Sequence, residues 1–403
     1  MIKTTDIIFN TENKSGGLMK KKICVVTSSR AEYGLLKGII NLISEDKELE
    51  LCLVVTGTHL SQEFGYTVSQ IESDGFAIAE KPDILVSGDT PAAVSKTQGL
   101  AFIAFADIFA RQKPDLLVIL GDRTEMIPVA FAAVNERIPI AHISGGETTE
   151  GAVDECVRHS LTKTAYLHFP ACEIYRKRII QLGESPERVF NFGDVGVEMV
   201  KKAPKISREE LTERLNFDFN KPYICVIFHP VTLQTENAAF QTDNLLNAID
   251  LHREYNYLFI HSNSDAGGHI VMEKIKKYAD SHENCRCFTS LNSETYAAVL
   301  SHSSALLGNS SSGIVEAPAL GVPTINVGDR QRGRLLANSI ISCSPDKDEI
   351  STAIARLKSC EFKENMKNIT NPYGDGNVSD KIFNCIKEHL NKEIDLKKKF
   401  YDL

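Results

Sequence analysis

Short, almost uninterrupted apolar runs alternate with amphipathic stretches along this chain, and that alternation restricts it to an α/β fold built on parallel strands. Ile23–Thr27, Leu51–Thr56, Leu116–Leu120, Pro139–Ile143 and Val189–Phe192 form a first series. Tyr223–Phe228, Tyr257–His261, Ala305–Gly308 and Thr324–Val327 form a second. Strands that are apolar on both faces need cover on both faces, which the helices of βαβ units supply. A chain of 403 residues is long enough for two or three such cores. Between the two series, Lys201 to Lys221 is polar and charged, with Ser207 placed to cap Arg208-Glu209-Glu210-Leu211, and reads as a connection. The expectation is two Rossmann-like domains, 19–200 and 201–378, whose parallel sheets face a central cleft. A charged C-terminal helix over 379–403 is expected to pack back on the first domain. Residues 1–18 lack periodicity and the apolar core of a signal peptide, and read as a poorly ordered extension ahead of a natural start at Met19.

Open parallel sheets bind ligands where strand ends meet helix starts, so the residues at those junctions carry the functional reading. The strand Leu116–Leu120 runs into Gly121-Asp122-Arg123, and Pro139–Ile143 runs into Ser144-Gly145-Gly146-Glu147. The next helix carries Asp154, Glu155, Arg158 and His159, with Asp154/Arg158 and Glu155/His159 spaced as neighbours on a helix surface. Several carboxylates beside a fixed guanidinium suit acid–base work on a neutral C–H or C–O bond.

Other junctions suit an anion. Ser28-Ser29-Arg30-Ala31-Glu32 closes the first strand, offering hydroxyls, backbone N–H groups and the Arg30 guanidinium. Thr56-Gly57-Thr58-His59 follows the second strand, where His59 is either a donor to a ligand or a packed structural histidine. In the second series, Phe228-His229-Pro230 holds a histidine with little freedom. Gly308-Asn309-Ser310-Ser311-Ser312-Gly313 has the small hydroxyl residues of a phosphate cradle, with Glu316 in the following helical turn placed to accept from a ribose diol. Gly328-Asp329-Arg330-Gln331-Arg332-Gly333-Arg334 adds cations at the next strand end. Walker A, GxGxxG and HExxH motifs are absent, so ATP-driven, nicotinamide and zinc-hydrolase chemistry lack their usual residues.

The formal net charge of -8 argues against a nucleic-acid or membrane-surface partner, while leaving room for a local basic pocket. No apolar run in the sequence approaches the ~20 residues of a membrane span. The ten cysteines are scattered, several within apolar runs, and Cys285-Arg-Cys287 lacks zinc-site spacing. Reduced, structural cysteines in a cytoplasmic protein are expected.

Taken together, SSRAEYG (28–34), TGTHLSQEFG (56–65), GDR (121–123), HISGGETTEG (142–151), the DExxRH segment (154–159), FHPVT (228–232), GNSSSG (308–313) and GDRQRGR (328–334) resemble the UDP-N-acetylglucosamine 2-epimerase family in its hydrolysing branch. The likeness runs from about Lys21 to Lys381. It implies a GT-B fold with UDP held mainly by the second domain, the sugar in the cleft and neither cofactor nor metal. Matched by position, Ser310, Ser311, Glu316 and Arg330 fall on the UDP-binding segments, with Ser312 and Gly313 in the same turn. His229 falls on an active-site histidine near the diphosphate. Asp122, Asp154 and Arg158 fall on the catalytic cluster, joined by Glu147 and Glu155 as neighbouring carboxylates. Arg30 and His59 match cleft-lining positions of the first domain, as do the motif residues Glu32 and Arg123. Many members carry Glu where this chain has Ser144, so a hydroxyl stands where a carboxylate is usual.

The implied chemistry removes the C2 proton as UDP leaves C1, then hydrates the resulting 2-acetamidoglucal from the opposite face. For UDP-N-acetylglucosamine the products are N-acetylmannosamine and UDP, feeding sialic-acid-type sugars. The same reaction on UDP-2,4-diacetamido-2,4,6-trideoxyglucose, for legionaminic acid, stays open. So do a glycosyltransferase and a UDP-sugar sensor on the same fold. The resemblance also implies a homodimer or homotetramer.

Overall fold

The computed structural model describes residues 20–88, 90–150, 153–230, 235–260 and 268–403. The extension expected over 1–18, and parts of the motifs at 151, 231–232 and 261, lie outside them.

Two six-stranded sheets form, and every strand pairing in them is parallel. The first contains β1 (Lys21–Thr27), β2 (Leu49–Val55), β3 (Ile78–Glu80), β4 (Leu116–Leu120), β5 (Ile140–Ile143) and β6 (Leu167–Phe169). The second contains β7 (Tyr223–Ile227), β8 (Asn256–Ile260), β9 (Cys285–Phe288), β10 (Ala305–Gly308), β11 (Thr324–Val327) and β12 (Ile340–Cys343). Their spatial orders are β3-β2-β1-β4-β5-β6 and β12-β11-β10-β7-β8-β9. Numbered from its own first strand, each sheet is therefore wound 3-2-1-4-5-6, and the winding reverses between β1 and β4 and between β7 and β10. Two doubly wound halves facing a shared cleft make the GT-B fold.

The central strands are buried along almost their whole length because helices cover both faces. Val25, Leu53 and Val118 face one apolar layer with Leu36, Ile39 and Ile40. Cys24, Val54, Leu117 and Ile119 face the other, with Phe105, Phe109 and Val129. Gly308 ends β10 at φ +140, where a Cβ would lie 1.9 Å from the Ile227 carbonyl oxygen, so the β7–β10 contact at this switch point requires glycine.

Several expected boundaries move. Val189–Phe192 is not a strand of the sheet: it touches β6 through the single bridge His168–Val189. Its Phe190 and Phe192 stack with Phe169 instead, and Leu167–Phe169 takes the edge position. The short strands β3, β9 and β12 are also new. Each is an edge or near-edge strand with polar or half-exposed members, which breaks the apolar run that betrays a central strand. Among the described residues one helix, Pro91–Gln112, proves long and apolar enough by length and composition to cross a membrane. Here Ala101, Phe105, Ile108 and Phe109 pack it into the core against the helix Met126–Asn135, while Lys96, Asp107 and Arg111 interrupt its apolar run.

The C-terminal helix spans Ser379–Leu390 and ends well short of residue 403, at the C-cap Asn391. Ile382, Cys385, Ile386 and Leu390 pack it against the helix Arg30–Glu45. Beyond it the chain is extended and anchored by Lys398, whose ammonium reaches the Glu184 carboxylate at 2.7 Å and the carbonyls of Lys163 and Ala165. Glu184 is wholly buried and also receives Lys163 at 2.6 Å and His168 at 3.1 Å. Burial alone would raise its pKa, but the bonds from His168, Lys163 and Lys398 prevail and hold it at about 2. With the folded value below that of a free glutamate, the cluster's stabilisation is complete above pH 4.5 and is lost as pH falls towards 2. Thermal unfolding followed by circular dichroism across this range is expected to show the advantage of wild type over Glu184→Gln at full size near neutral pH and shrinking below pH 4.5.

Candidate active site

At the first switch point, Ser29 caps the helix Arg30–Glu45, and Glu32 closes the turn from below. The Glu32 carboxylate accepts from the Ser28 N–H at 2.8 Å and the Ser28 hydroxyl at 2.5 Å. Burial, reinforced by the neighbouring Glu125 carboxylate, pushes Glu32 up to about 7. Across the switch, β4 opens into Gly121 and Asp122. The Gly121 carbonyl is held by His142 Nε2 at 2.8 Å, and burial keeps that imidazole neutral, pushing it down to about 4.

Arg158 binds the loops together. Its side chain is 1% exposed, and its guanidinium contacts the Asp122 carboxylate, the Thr149 hydroxyl at 3.1 Å and Glu155 at 3.8 Å. A buried guanidinium is costly unless carboxylates and hydroxyls meet it, and here they come from three separate segments. Glu155 in turn accepts from the Thr149 N–H at 2.6 Å and pairs with His159 at 3.1 Å.

The second switch point is organised by Asn309, which is 1% exposed. Its side-chain oxygen accepts from the His229 N–H at 2.7 Å, and its amide donates to the His229 carbonyl at 2.8 Å. Its own carbonyl accepts from Gln331 at 2.8 Å and Arg330 at 3.2 Å. One asparagine thus sets the relative positions of the loops after β7, β10 and β11. Beside it, Ser312 donates to Glu316 at 2.5 Å and contacts the Tyr296 hydroxyl. Burial pushes Glu316 up to about 7.

These loops enclose two adjoining chambers. One is lined by Arg30, His229, Tyr296, Ser310, Ser311, Ser312, Glu316 and Arg330. The other, with about 1590 Å³ of open space, is lined by Asp122, Arg123, Asp154, Thr149, Ser311, Arg330, Gln331 and Arg334, with Val94, Ile127, Val153 and Val157 as apolar wall. Ser311 and Arg330 belong to both. Guanidiniums, an imidazole and a serine turn suit a diphosphate in the first. Two carboxylates among cations suit proton transfer in the second.

Six of the expected site residues do not line either chamber, and one of them is Arg158, 1% exposed among the loops it joins. His59 is wholly buried, with Nε2 on Thr27 at 3.1 Å and Nδ1 on Thr67 at 2.8 Å, so both ring nitrogens are used within the core. Glu32 and Glu155 are spent on the turns just described. Gly313 lies under the sheet, where a Cβ would come within 2.6 Å of the Thr324 side chain. Glu147 turns away to the buried guanidinium of Arg334 at 2.7 Å, presented by Gly146 at φ +76, where any Cβ would meet the Tyr175 carbonyl at 2.6 Å. Arg334, Asn309, Gln331 and Tyr296 are the additions. The repeated cations of GDRQRGR signalled Arg334, whereas nothing local marks Tyr296.

The sequence profile of one family, described as UDP-N-acetylglucosamine 2-epimerase, matches residues 41–387. A Campylobacter jejuni protein named GDP/UDP-N,N'-diacetylbacillosamine 2-epimerase (hydrolyzing) is 38% identical over 96% of this chain and 100% of its own length. The Escherichia coli polysialic acid biosynthesis protein P7 is 37% identical over 95% of this chain and 98% of its own. Among solved structures, a UDP-GlcNAc 2-epimerase from Neisseria meningitidis bound to UDP-GlcNAc superposes with a TM-score of 0.77 at 19% identity, covering 91% of this chain and 100% of that one.

Replacing the guanidinium that joins the first-half loops tests their dependence on it. Arg158→Gln is expected to cost about 2–3 kcal/mol of stability, read as a lower urea midpoint at unchanged slope.

Proposed function

The chain belongs to the UDP-N-acetylglucosamine 2-epimerase family, and from that premise we propose that it is a hydrolysing 2-epimerase of a UDP-2-acetamido sugar. The observation that carries this reading is that Asp122 and Asp154 line one chamber, and that Ser311 and Arg330 line both it and the adjoining chamber of His229, Arg30 and the Ser310–Ser312 turn. The diphosphate lies against His229, the serine turn, Arg30 and Arg330, and Glu316 accepts from the ribose. The sugar then reaches the carboxylates.

In the first step one carboxylate takes the C2 proton, the C1–O bond breaks, and UDP departs with the bonding electron pair, leaving 2-acetamidoglucal. In the second, water adds across the double bond: its hydroxyl joins C1, and a proton reaches C2 on the opposite face. The sum is UDP-sugar plus water giving the free 2-epimer plus UDP. Asp122 and Asp154 form the acid–base pair, and Arg158 keeps Asp122 ionised and oriented. Charge developing on the departing diphosphate is met by guanidiniums already in place, where fixed electrostatics lowers a barrier most.

UDP-N-acetylglucosamine is one substrate that fits this scheme. The apolar wall of Val94, Ile127, Val153 and Val157 favours the second, a UDP-2,4-diacetamido-2,4,6-trideoxy sugar, whose C6 methyl needs no polar partner. The Campylobacter relative's name points the same way.

A second copy of the chain completes the proposal. Leu100, Phe102 and Ile103 on the helix Pro91–Gln112, with Phe131 and Val134 on its neighbour, form an exposed apolar face, Ile103 being 68% exposed. Light scattering after size exclusion is expected to give a dimer or tetramer of the 44.6 kDa chain, and Ile103→Asp to shift it towards monomer.

Proton NMR in D2O with each UDP-sugar tests the reaction. Released UDP with free 2-epimer deuterated at C2 is the expected result, and Asp122→Asn is expected to slow it by about 100-fold or more. Product still attached to UDP, or no turnover of either sugar, would overturn the hydrolysing assignment.

A further inference from the structure

Arg334 sits deep in the wall of the carboxylate chamber, its side chain 8% exposed. One amino group pairs with Glu147 at 2.7 Å, while its Nε has no hydrogen-bond partner. Glu147, 5% exposed, does not line the chamber, so it holds the guanidinium from behind. The two residues come from opposite halves of the molecule, on the loops after β5 and β11. Those loops are fastened side by side: Thr148 donates to the Gly333 carbonyl at 2.7 Å, Glu150 N–H to the Arg332 carbonyl at 3.3 Å, and Arg332 pairs with Glu150 at 3.1 Å.

A buried ion pair is a weak source of stability, and a buried donor without an acceptor is a cost. Both become intelligible if the donor is kept for a ligand. Arg330 lines both chambers, whereas Arg334, four residues on, lines only the one with Asp122 and Asp154. A group bound by Arg334 therefore lies beyond the diphosphate, on the sugar side.

We propose that Arg334 is a further substrate-contacting residue, donating to an oxygen of the 2-acetamido sugar, and that Glu147 is the positioning residue that delivers it across the cleft. This rests on the UDP-sugar reading given above. It also gives the loop contact a purpose: the sugar chamber is complete only when the two halves meet.

Isothermal titration of UDP and of UDP-N-acetylglucosamine into the full chain separates this role from a structural one. Arg334→Gln is expected to weaken UDP-N-acetylglucosamine by about tenfold or more while leaving UDP within about twofold. Glu147→Gln is expected to shift the same ratio in the same direction, and the double variant to be no worse than Arg334→Gln alone. Equal losses for both ligands, no loss for either, or additive losses in the double variant would overturn the proposal. Arg334→Lys serves where the glutamine variant does not fold. It keeps a charge opposite Glu147 but carries a methylene where arginine has its Nε–H donor, so the same selective loss is expected. Because the readout is affinity, it decides the role of Arg334 even if wild type releases no UDP, a result that would count only against the hydrolysis.

Discussion

The cleft exists because each sheet reverses its winding at one point, and a parallel sheet cannot reverse without leaving a gap between the two loops that diverge there. Both halves obey the same 3-2-1-4-5-6 order, so each offers one such gap at its strand ends. In the first, the loops after β1 and β4 part around Arg30 and Asp122. In the second, those after β7 and β10 part around His229 and Ser310–Ser312. The loops after β5 and β11, one strand further out, meet beside the chamber of Asp122 and Asp154. The polar residues of the site are thus carried by backbone whose position the buried strands dictate.

Holding polar loops over an apolar sheet requires buried polar groups with satisfied partners, and two residues meet most of that need. Arg158 draws Asp122, Thr149 and Glu155 together in the first half, while Asn309 does the same for His229, Arg330 and Gln331 in the second. Arg158 does so through its guanidinium, and Asn309 through its side-chain amide and its own carbonyl, in place of backbone contacts that irregular loops cannot make for themselves. The same economy places Glu155 and Glu32 in the turns: both Glu155 oxygens and Glu32 Oε2 take up the groups that shape them. Asp122 and Asp154 line one chamber and Glu316 the other.

Much of this was legible along the chain. The central strands announced themselves as apolar runs because both of their faces are covered, and the junction motifs followed from the rule that such sheets bind at strand ends. Edge strands were not legible. Ile78–Glu80, Cys285–Phe288 and Ile340–Cys343 lie at sheet edges, and most of their residues are partly or fully exposed. Phe190 and Phe192 misled for the opposite reason, being apolar through ring stacking rather than sheet burial. In the site, motif position separated neither His59 from His229 nor Glu147 from Asp122. Each pair shares residue type and a strand-end address, and differs only in which neighbours reach it first.

Periodicity, glycine placement and the order of polar junctions therefore determined the α/β class, the two-half arrangement, the family and the segments that form the cleft, because these depend on local pattern and on the general geometry of parallel sheets. Which side chains face the cleft was decided by tertiary structure alone. Orientation depends on hydrogen-bond partners far away in sequence, as Arg334 is for Glu147 and Thr27 is for His59. A carboxylate or imidazole at a strand end faces the cleft only where its buried partners leave part of it open to the chamber, as Arg158 leaves Asp122 and Arg334 does not leave Glu147, and those partners come from segments the chain brings together only on folding.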